Sequence, residues 1–304
     1  MKKRIVLAGG SGFLGQSLAA ALVAQGWEVH LLSRTAKEGG PYRTWAWDGS
    51  HLGPWVEALK GASALVNLTG KSVNCRYDEA NREEIVRSRL DSVAVLQEAL
   101  KSLEDGPKVW VQCGSLAIFG DAGDRVCGES SELGTGFSVE VCKAWEKAFA
   151  EVELPGLRKV YLRIGFVLAP DGGALGTLAK LTRAFLGGSV GNGRQFISWL
   201  HIDDFVAMVM DALVNDRMQG TYNATGVLPV TNAEFMQKLR KALGRPWSPP
   251  APALAVMVGA LFMGTESELA LTGRRCMPKR LLEEGFRFEH WDLDQALTGL
   301  FAEA

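Results

Sequence analysis

"RIVLAGGSGFLGQSLAAAL", residues 4–22, sets Gly9, Gly12 and Gly15 between a short apolar run and an Ala- and Leu-rich stretch that Gly26 can end. Glycines at this spacing let the backbone take positive φ and approach a ligand closely. The helix that follows offers unpaired N–H groups and a partial positive charge at its start, which suit a pyrophosphate. An apolar strand before the loop and an apolar helix after it make this a dinucleotide-binding turn. Gly9, Gly12, Phe13, Leu14 and Gly15 are its expected cofactor contacts.

Outward from the loop the pattern alternates. "EVHLLSR" (28–34), "RTWAW" (43–47), "ALVNLTG" (64–70), "KVWVQCGS" (108–115) and "KVYLRIGFVL" (159–168) read as strands. Helical periodicity fills about Asp78–Leu103 and "FSVEVCKAWEKAF" (137–149). Strands separated by helices imply a parallel sheet covered on both faces, the α/β doubly wound (Rossmann) architecture.

After residue 168 helices dominate: "DGGALGTLAKLTRAFLGG" (171–188), "HIDDFVAMVMDALVND" (201–216), "TNAEFMQKLRKALG" (231–244) and "MPKRLLEEGF" (277–286). The expected division is a dinucleotide-binding domain over 1–168, to which 201–225 returns through "TYNATG" (221–226). Residues 169–200 and 226–304 form a smaller, mainly helical C-terminal domain on the strand C-termini, where such sheets bind ligands.

The chain has 304 residues, 47% hydrophobic, with a net charge of −1, which leaves no electrostatic footprint for nucleic acid or an anionic membrane. "APALAVMVGALFMG" (251–264) falls short of the roughly 20 residues of a spanning helix and is expected to be buried or to face a partner. "MKKRIVLAGG" contains no apolar run of signal-peptide length. Cys75, Cys113, Cys127, Cys142 and Cys276 are scattered without a CxxC spacing, and the four histidines lie far apart. Reduced thiols, no metal site and a cytoplasmic setting are therefore expected. The expected partner is a small molecule, with a homodimer allowed.

The second strand ends in Ser33 and Arg34, where NAD-selecting folds place a carboxylate for the ribose 2′-hydroxyl. A guanidinium there binds a 2′-phosphate through charge-assisted hydrogen bonds, so NADP(H) is the expected cofactor.

Several segments resemble the extended short-chain dehydrogenases/reductases, the NAD-dependent epimerase/dehydratase superfamily. "GGSGFLG" (9–15) is similar to its first loop and "NLTG" (67–70) to its motif after the fourth strand. "CGSLAIFGD" (113–121) resembles its S-x-x-x-Y-G segment, with Ser115 at the catalytic serine and Phe119 in the tyrosine's place. "GNGRQFISWLHIDDFV" (191–206) resembles a later segment. That family uses Tyr-x-x-x-Lys on the helix after the fifth strand, the tyrosine as acid/base and the lysine on the nicotinamide ribose. Here the matching positions are Ser138 and Cys142, and Arg89 stands at the family's upstream asparagine. These departures, with "NCRYDEANREEIVRSRL" (74–90) and "GRRCMPKRLLEEGFRF" (273–288), resemble the atypical branch called epimerase family proteins. The resemblance implies a pocket of Ser33, Arg34, Asn67, Leu68, Thr69, Glu84, Arg89 and Cys142 around NADPH, and no secure reaction.

For chemistry, Ser115 is placed to polarise a carbonyl, while Ser138 and Cys142 hold the catalytic positions of the helix. A serine hydroxyl is a poor acid/base near neutral pH, and a thiol against Trp145 and Phe149 is expected to be inert. His201 is an alternative acid/base. Arg163, Arg194 and Trp199 are the expected substrate contacts, with Arg194 suited to an anionic group. Two readings stay open: an NADP(H)-dependent oxidoreductase or epimerase-like enzyme, and a redox sensor that binds the cofactor without turnover.

Overall fold

The computed structural model describes residues 3–35, 40–170 and 172–302; Asp171, at the start of the expected glycine-bounded helix, lies outside them. Short apolar runs form one seven-stranded parallel sheet from β1 (Arg4–Ala8), β2 (Glu28–Ser33), β3 (Arg43–Ala46), β4 (Ala64–Asn67), β5 (Val109–Ser115), β7 (Arg158–Ile164) and β11 (Gly220–Ala224). Their order is β11-β7-β5-β4-β1-β2-β3, so the chain reverses direction across the sheet between β1 and β4. That reversal opens a crevice at the strand C-termini, next to the glycine loop.

Alternate strand residues supply two cores. Ile5, Leu7, Val66, Val111 and Leu162 pack under α1 (Phe13–Ala24) and α5 (Ile202–Val214). Val6, Leu65, Trp110 and Tyr161 pack on the opposite face, under α2 (Glu79–Lys101) and α3 (Phe137–Ala150). Asp78 starts α2 by accepting the Asn81 N–H at 2.8 Å.

"KVYLRIGFVL" does not make a single strand. The Gly165 N–H donates to Ala224 O, but the Phe166 N–H donates to Ser198 O at 2.8 Å. The chain thus leaves the main sheet, and β8 (Phe166–Leu168) pairs in parallel with β10 (Trp199–His201). A third core joins α4 (Gly173–Arg183), α6 (Asn232–Ala242) and α10 (Leu293–Ala302) through Leu175, Phe235, Leu239 and Leu297. Thr231 and Glu234 form a capping box at the start of α6, where β12 (Val230–Thr231) pairs with β9 (Phe196–Ile197).

The C-terminal segment is stitched back onto the sheet. β13 (Arg275–Cys276) pairs with β6 (Val126–Cys127), and the Tyr222 hydroxyl on β11 donates to Glu284, just past α9 (Lys279–Glu283). The apolar α7 (Ala253–Met263), followed by α8 (Glu268–Leu271), is not buried: Leu254 and Phe262 are 72% and 87% exposed. Among the described residues no helix is long and apolar enough to cross a membrane.

Candidate active site

The glycine loop curls against the end of β4. Gly9 has φ +71°, and a Cβ there would lie 2.9 Å from Thr69 Oγ1. A Cβ on Gly15 would meet Gly10 Cα at 2.5 Å, so that turn closes only with glycine. No side chain caps the start of α1, and its first turn carries no acidic residue. Thr69 Oγ1 is buried with no hydrogen-bond partner among the described residues. A bare helix start beside an orphaned hydroxyl is a cradle for a phosphorylated ligand.

Not every expected contact offers its side chain to that cradle. The Phe13 ring packs on Gly172, and Leu14 and Leu68 pack into the core, so these residues present backbone. Asn67 is fully buried and faces away. Its Nδ2 donates to Gln112 Oε1 at 3.0 Å and to Ser92 Oγ at 3.2 Å, while its Oδ1 accepts the Thr69 N–H at 3.0 Å. The Asn67 side chain thus braces the turn that presents Leu68 and Thr69.

Ser33 ends β2 half-buried, and Arg34 follows it exposed. Across the mouth, Glu84 pairs with Lys71; that hydrogen bond first, and the charge of Arg34 among others, hold its carboxyl below the usual range. A cationic rim therefore stands where the second strand ends. Deeper in, the guanidinium of Arg89 lies along Gly70, over the Trp145 ring at 5.0 Å, and donates to Ile85 O at 2.8 Å. Its charge reaches Cys142 on α3, so the upstream arginine and the lysine position of the helix do meet.

Cys142 is 5% exposed, and burial pushes its thiol up to about 11 even beside Arg89. It is not a catalytic thiol near neutral pH, since the thiolate is the reactive form. Ser138 is half-buried at the start of α3. Beside it lies a group the sequence reading passed over: the hydroxyl of Tyr77, 9% exposed as a residue, reaches Ser138. Burial pushes that phenol up, and the hydroxyl has no hydrogen-bond partner of good geometry among the described residues. The Tyr77 ring meets Phe137 edge-on at 5.1 Å, and its backbone N–H donates to Glu266 at 2.6 Å. The lone tyrosine in "NCRYDEAN" was the only signal, and only folding shows that it reaches α3.

Ser115 ends β5 and accepts the Ala117 N–H at 3.1 Å, yet it also lines a cleft of about 200 Å³ with Ile164, Phe166, Ser198 and Arg274. Three of the expected substrate and acid/base residues are used elsewhere. Arg163 is 5% exposed, paired through Nε and Nη2 with Glu146 at 2.9 and 2.8 Å, and bonded to Glu129 O. Trp199 is 1% exposed, its indole N–H donating to Leu228 O at 2.7 Å within the third core. His201 caps α5 by accepting the Asp203 N–H and stacks on His290 at 3.6 Å; burial first, then His290, push it down to about 4. Arg194 is exposed and lies 3.7 Å from Asp124.

His201, Asp203 and His290 bring donor atoms within 4.8 Å of one another, a grouping hidden by their sequence separation. The imidazoles are stacked with 28° between planes, so their in-plane lone pairs run side by side rather than converge on an ion. The cluster joins α5 to the C-terminal segment, and Asp204 reinforces it by accepting the Glu289 and His290 N–H groups at 2.9 and 3.1 Å.

Known proteins resemble this chain over nearly all of its length. Residues 5–225 match the model of the NAD dependent epimerase/dehydratase family, and residues 250–300 match a domain of unknown function, DUF1731. Epimerase family protein YfhF of Bacillus subtilis is 32% identical over 304 residues, covering 98% of both chains. Human epimerase family protein SDR39U1 is 33% identical over 305 residues, covering 98% of this chain and all of its own. A crystal structure of the human protein (isoform 2) with NADPH superposes with a TM-score of 0.88 at 31% identity, over 99% of this chain and 100% of that one. A nucleoside-diphosphate sugar epimerase from Corynebacterium glutamicum superposes with a TM-score of 0.78 at 28% identity, over 100% of this chain and 60% of that one. With the matched model spanning β1 to β11, the chain belongs to the NAD dependent epimerase/dehydratase family, in its atypical branch with the DUF1731 extension.

Proposed function

We propose that this protein binds NADP(H) and acts as an oxidoreductase or epimerase-like enzyme on a small polar substrate. The observation that carries the reading is the cradle of Gly9, the uncapped start of α1 and the orphaned Thr69 hydroxyl, rimmed by Arg34 where NAD-binding relatives of the fold carry an acid. The human relative crystallised with NADPH supports it. The α1 N-terminus would hold the pyrophosphate, Ser33 and Arg34 the 2′-phosphate, and Arg89 the nicotinamide ribose in place of the missing lysine.

NADPH supplies a hydride when bound. The chain's own part is to orient the reacting group and move a proton. Ser115 polarises a substrate oxygen by donating a hydrogen bond, and Tyr77 delivers the proton through or beside Ser138. Burial keeps that phenol protonated near neutral pH, so it holds a proton for a substrate oxygen, as a weaker acid than a free phenol.

Titrating wild type and Arg34→Ala with NADPH and NADH tests the cofactor reading. Losing a charge-assisted contact should weaken NADPH binding about tenfold or more and leave NADH within twofold. Equal losses for both would refute the assignment. The inert Cys142 and the absent Tyr-x-x-x-Lys favour a second reading, a redox sensor without turnover. A metabolite-extract screen that binds NADPH but never consumes it would select that reading.

A further inference from the structure

Arg274, from the C-terminal extension, has no role in any contact described so far. Its Nε is buried without a hydrogen-bond partner, and its one side-chain bond among the described residues is a long 3.5 Å contact from Nη2 to Thr272 Oγ1. Among the described residues Arg163 of β7 is paired with Glu146, and Arg89 of α2, without an acid, is held by Ile85 O and the Trp145 ring. The nearby Asp121 is committed to the Gly273 N–H at 3.2 Å. A half-buried guanidinium without a counter-charge among the described residues has lost hydration that an incoming anion can replace.

Its backbone is clamped from both sides. The Arg274 N–H donates to Phe196 O at 3.1 Å, its carbonyl accepts from Ser198 Oγ at 2.7 Å, and that same oxygen accepts the Cys276 N–H at 2.9 Å. The following side chain departs elsewhere, with Arg275 over the Phe196 ring at 5.1 Å. Arg274 is therefore held at the wall of the cleft that Ser115 also lines, and its charge reaches Cys142 on α3. At about 200 Å³ that cleft is smaller than the roughly 300–1,000 Å³ of sites for drug-sized ligands.

We propose that Arg274 is the anchor for an oxyanion, a carboxylate or a phosphate, on a small substrate whose reacting oxygen sits at Ser115. This rests on the NADP(H)-dependent reading and adds the substrate class to it. The guanidinium fork takes the anion in paired N–H bonds, which fixes both position and orientation. The substrate would then be recognised by a residue from the DUF1731 segment and react at a residue from the epimerase segment.

Calorimetric titration of the NADPH-saturated full chain with sodium phosphate, and separately with malonate, tests this. Saturable binding of at least one anion is expected, and the preferred one names the group. Arg274→Gln should weaken it about tenfold to a hundredfold, the loss of one charge-assisted pair, while Arg217→Ala, exposed after α5, binds as wild type. Phenylglyoxal labelling of the wild type, read by peptide mass spectrometry, asks the same without a variant: the bound anion should protect Arg274. Failure of both anions to bind, undiminished binding by Arg274→Gln, or absence of protection would each overturn the proposal. NADPH affinity is measured first on the same samples; its loss condemns the cofactor reading, whereas its retention without anion binding condemns only the Arg274 site.

Discussion

Replacing Arg163 by Met separates a structural arginine from a substrate-binding one. Its position near the end of a central strand suggests substrate contact, but its guanidinium is 6% exposed and paired in both directions with Glu146, itself 22% exposed. Removing one partner of a buried pair leaves the other charge stranded, which costs about 3–5 kcal/mol. At roughly 2.1 cal/mol/K per residue, the 304-residue chain unfolds with an entropy of about 0.6 kcal/mol/K. A loss of 4 kcal/mol thus lowers Tm by about 6 °C. The double variant Glu146→Leu/Arg163→Met, which removes both charges, should recover most of that loss, because an apolar pair of similar volume carries no desolvation penalty. Scanning calorimetry at fixed NADPH provides the readout, and NADPH affinity of the folded single variant should stay within twofold. A single variant that melts like wild type, or a double variant that melts below the single one, would show that the pair is not what holds β7 to α3.

The remaining predictions test other parts of the site. His201 has its pKa pushed from about 6.5 to about 4, so the unfolded chain binds its proton first as pH falls. Stability is therefore full above pH 6.5 and declines through pH 4 by up to about 3 kcal/mol; His201→Asn should flatten that stretch of a Tm-against-pH curve, and an unchanged slope would refute the assignment. Gly15→Ala forces a methyl to within 2.5 Å of Gly10 Cα and should abolish NADPH binding in a fluorescence titration, whereas retained affinity would show that the loop has another course. Tyr77→Phe removes a buried hydroxyl without a partner, so Tm should hold or rise by about a degree while NADPH consumption by an active extract fraction falls. A clearly lowered Tm would instead give that hydroxyl a structural role.

The alternation of apolar runs with amphipathic helices was enough to read the sheet, because a strand buried on both faces has almost no other composition open to it. The glycine loop was legible for the same kind of reason: Gly15 packs on Gly10 with no room for a Cβ. Side-chain destinations were less accessible. Arg163 lies within "YLRI", and a charge in a buried strand signals a partner, but nothing local identifies Glu146 on α3 as that partner. Trp199 and His201 sit on β10, whose alternation and pairing with β8 exist only because the chain leaves the main sheet after Ile164. His290 meets His201 across most of the C-terminal segment, so no spacing rule could relate them.

The helix "FSVEVCKAWEKAF" explains why the extension matters. It stands where the family's acid/base helix stands, yet its Ser138 and Cys142 offer neither an efficient proton donor nor a positive charge. The charge at that place comes from α2, through Arg89. The phenol comes from the loop before α2, and that loop is fastened by the extension: Glu266 accepts the Tyr77 N–H, and Leu261 O accepts from Arg76 at 2.7 Å. The same extension carries Arg274 to the cleft at Ser115. In this protein the groups that could replace a tyrosine and lysine on one helix are thus spread over three elements. Two of them depend on docking of the C-terminal segment.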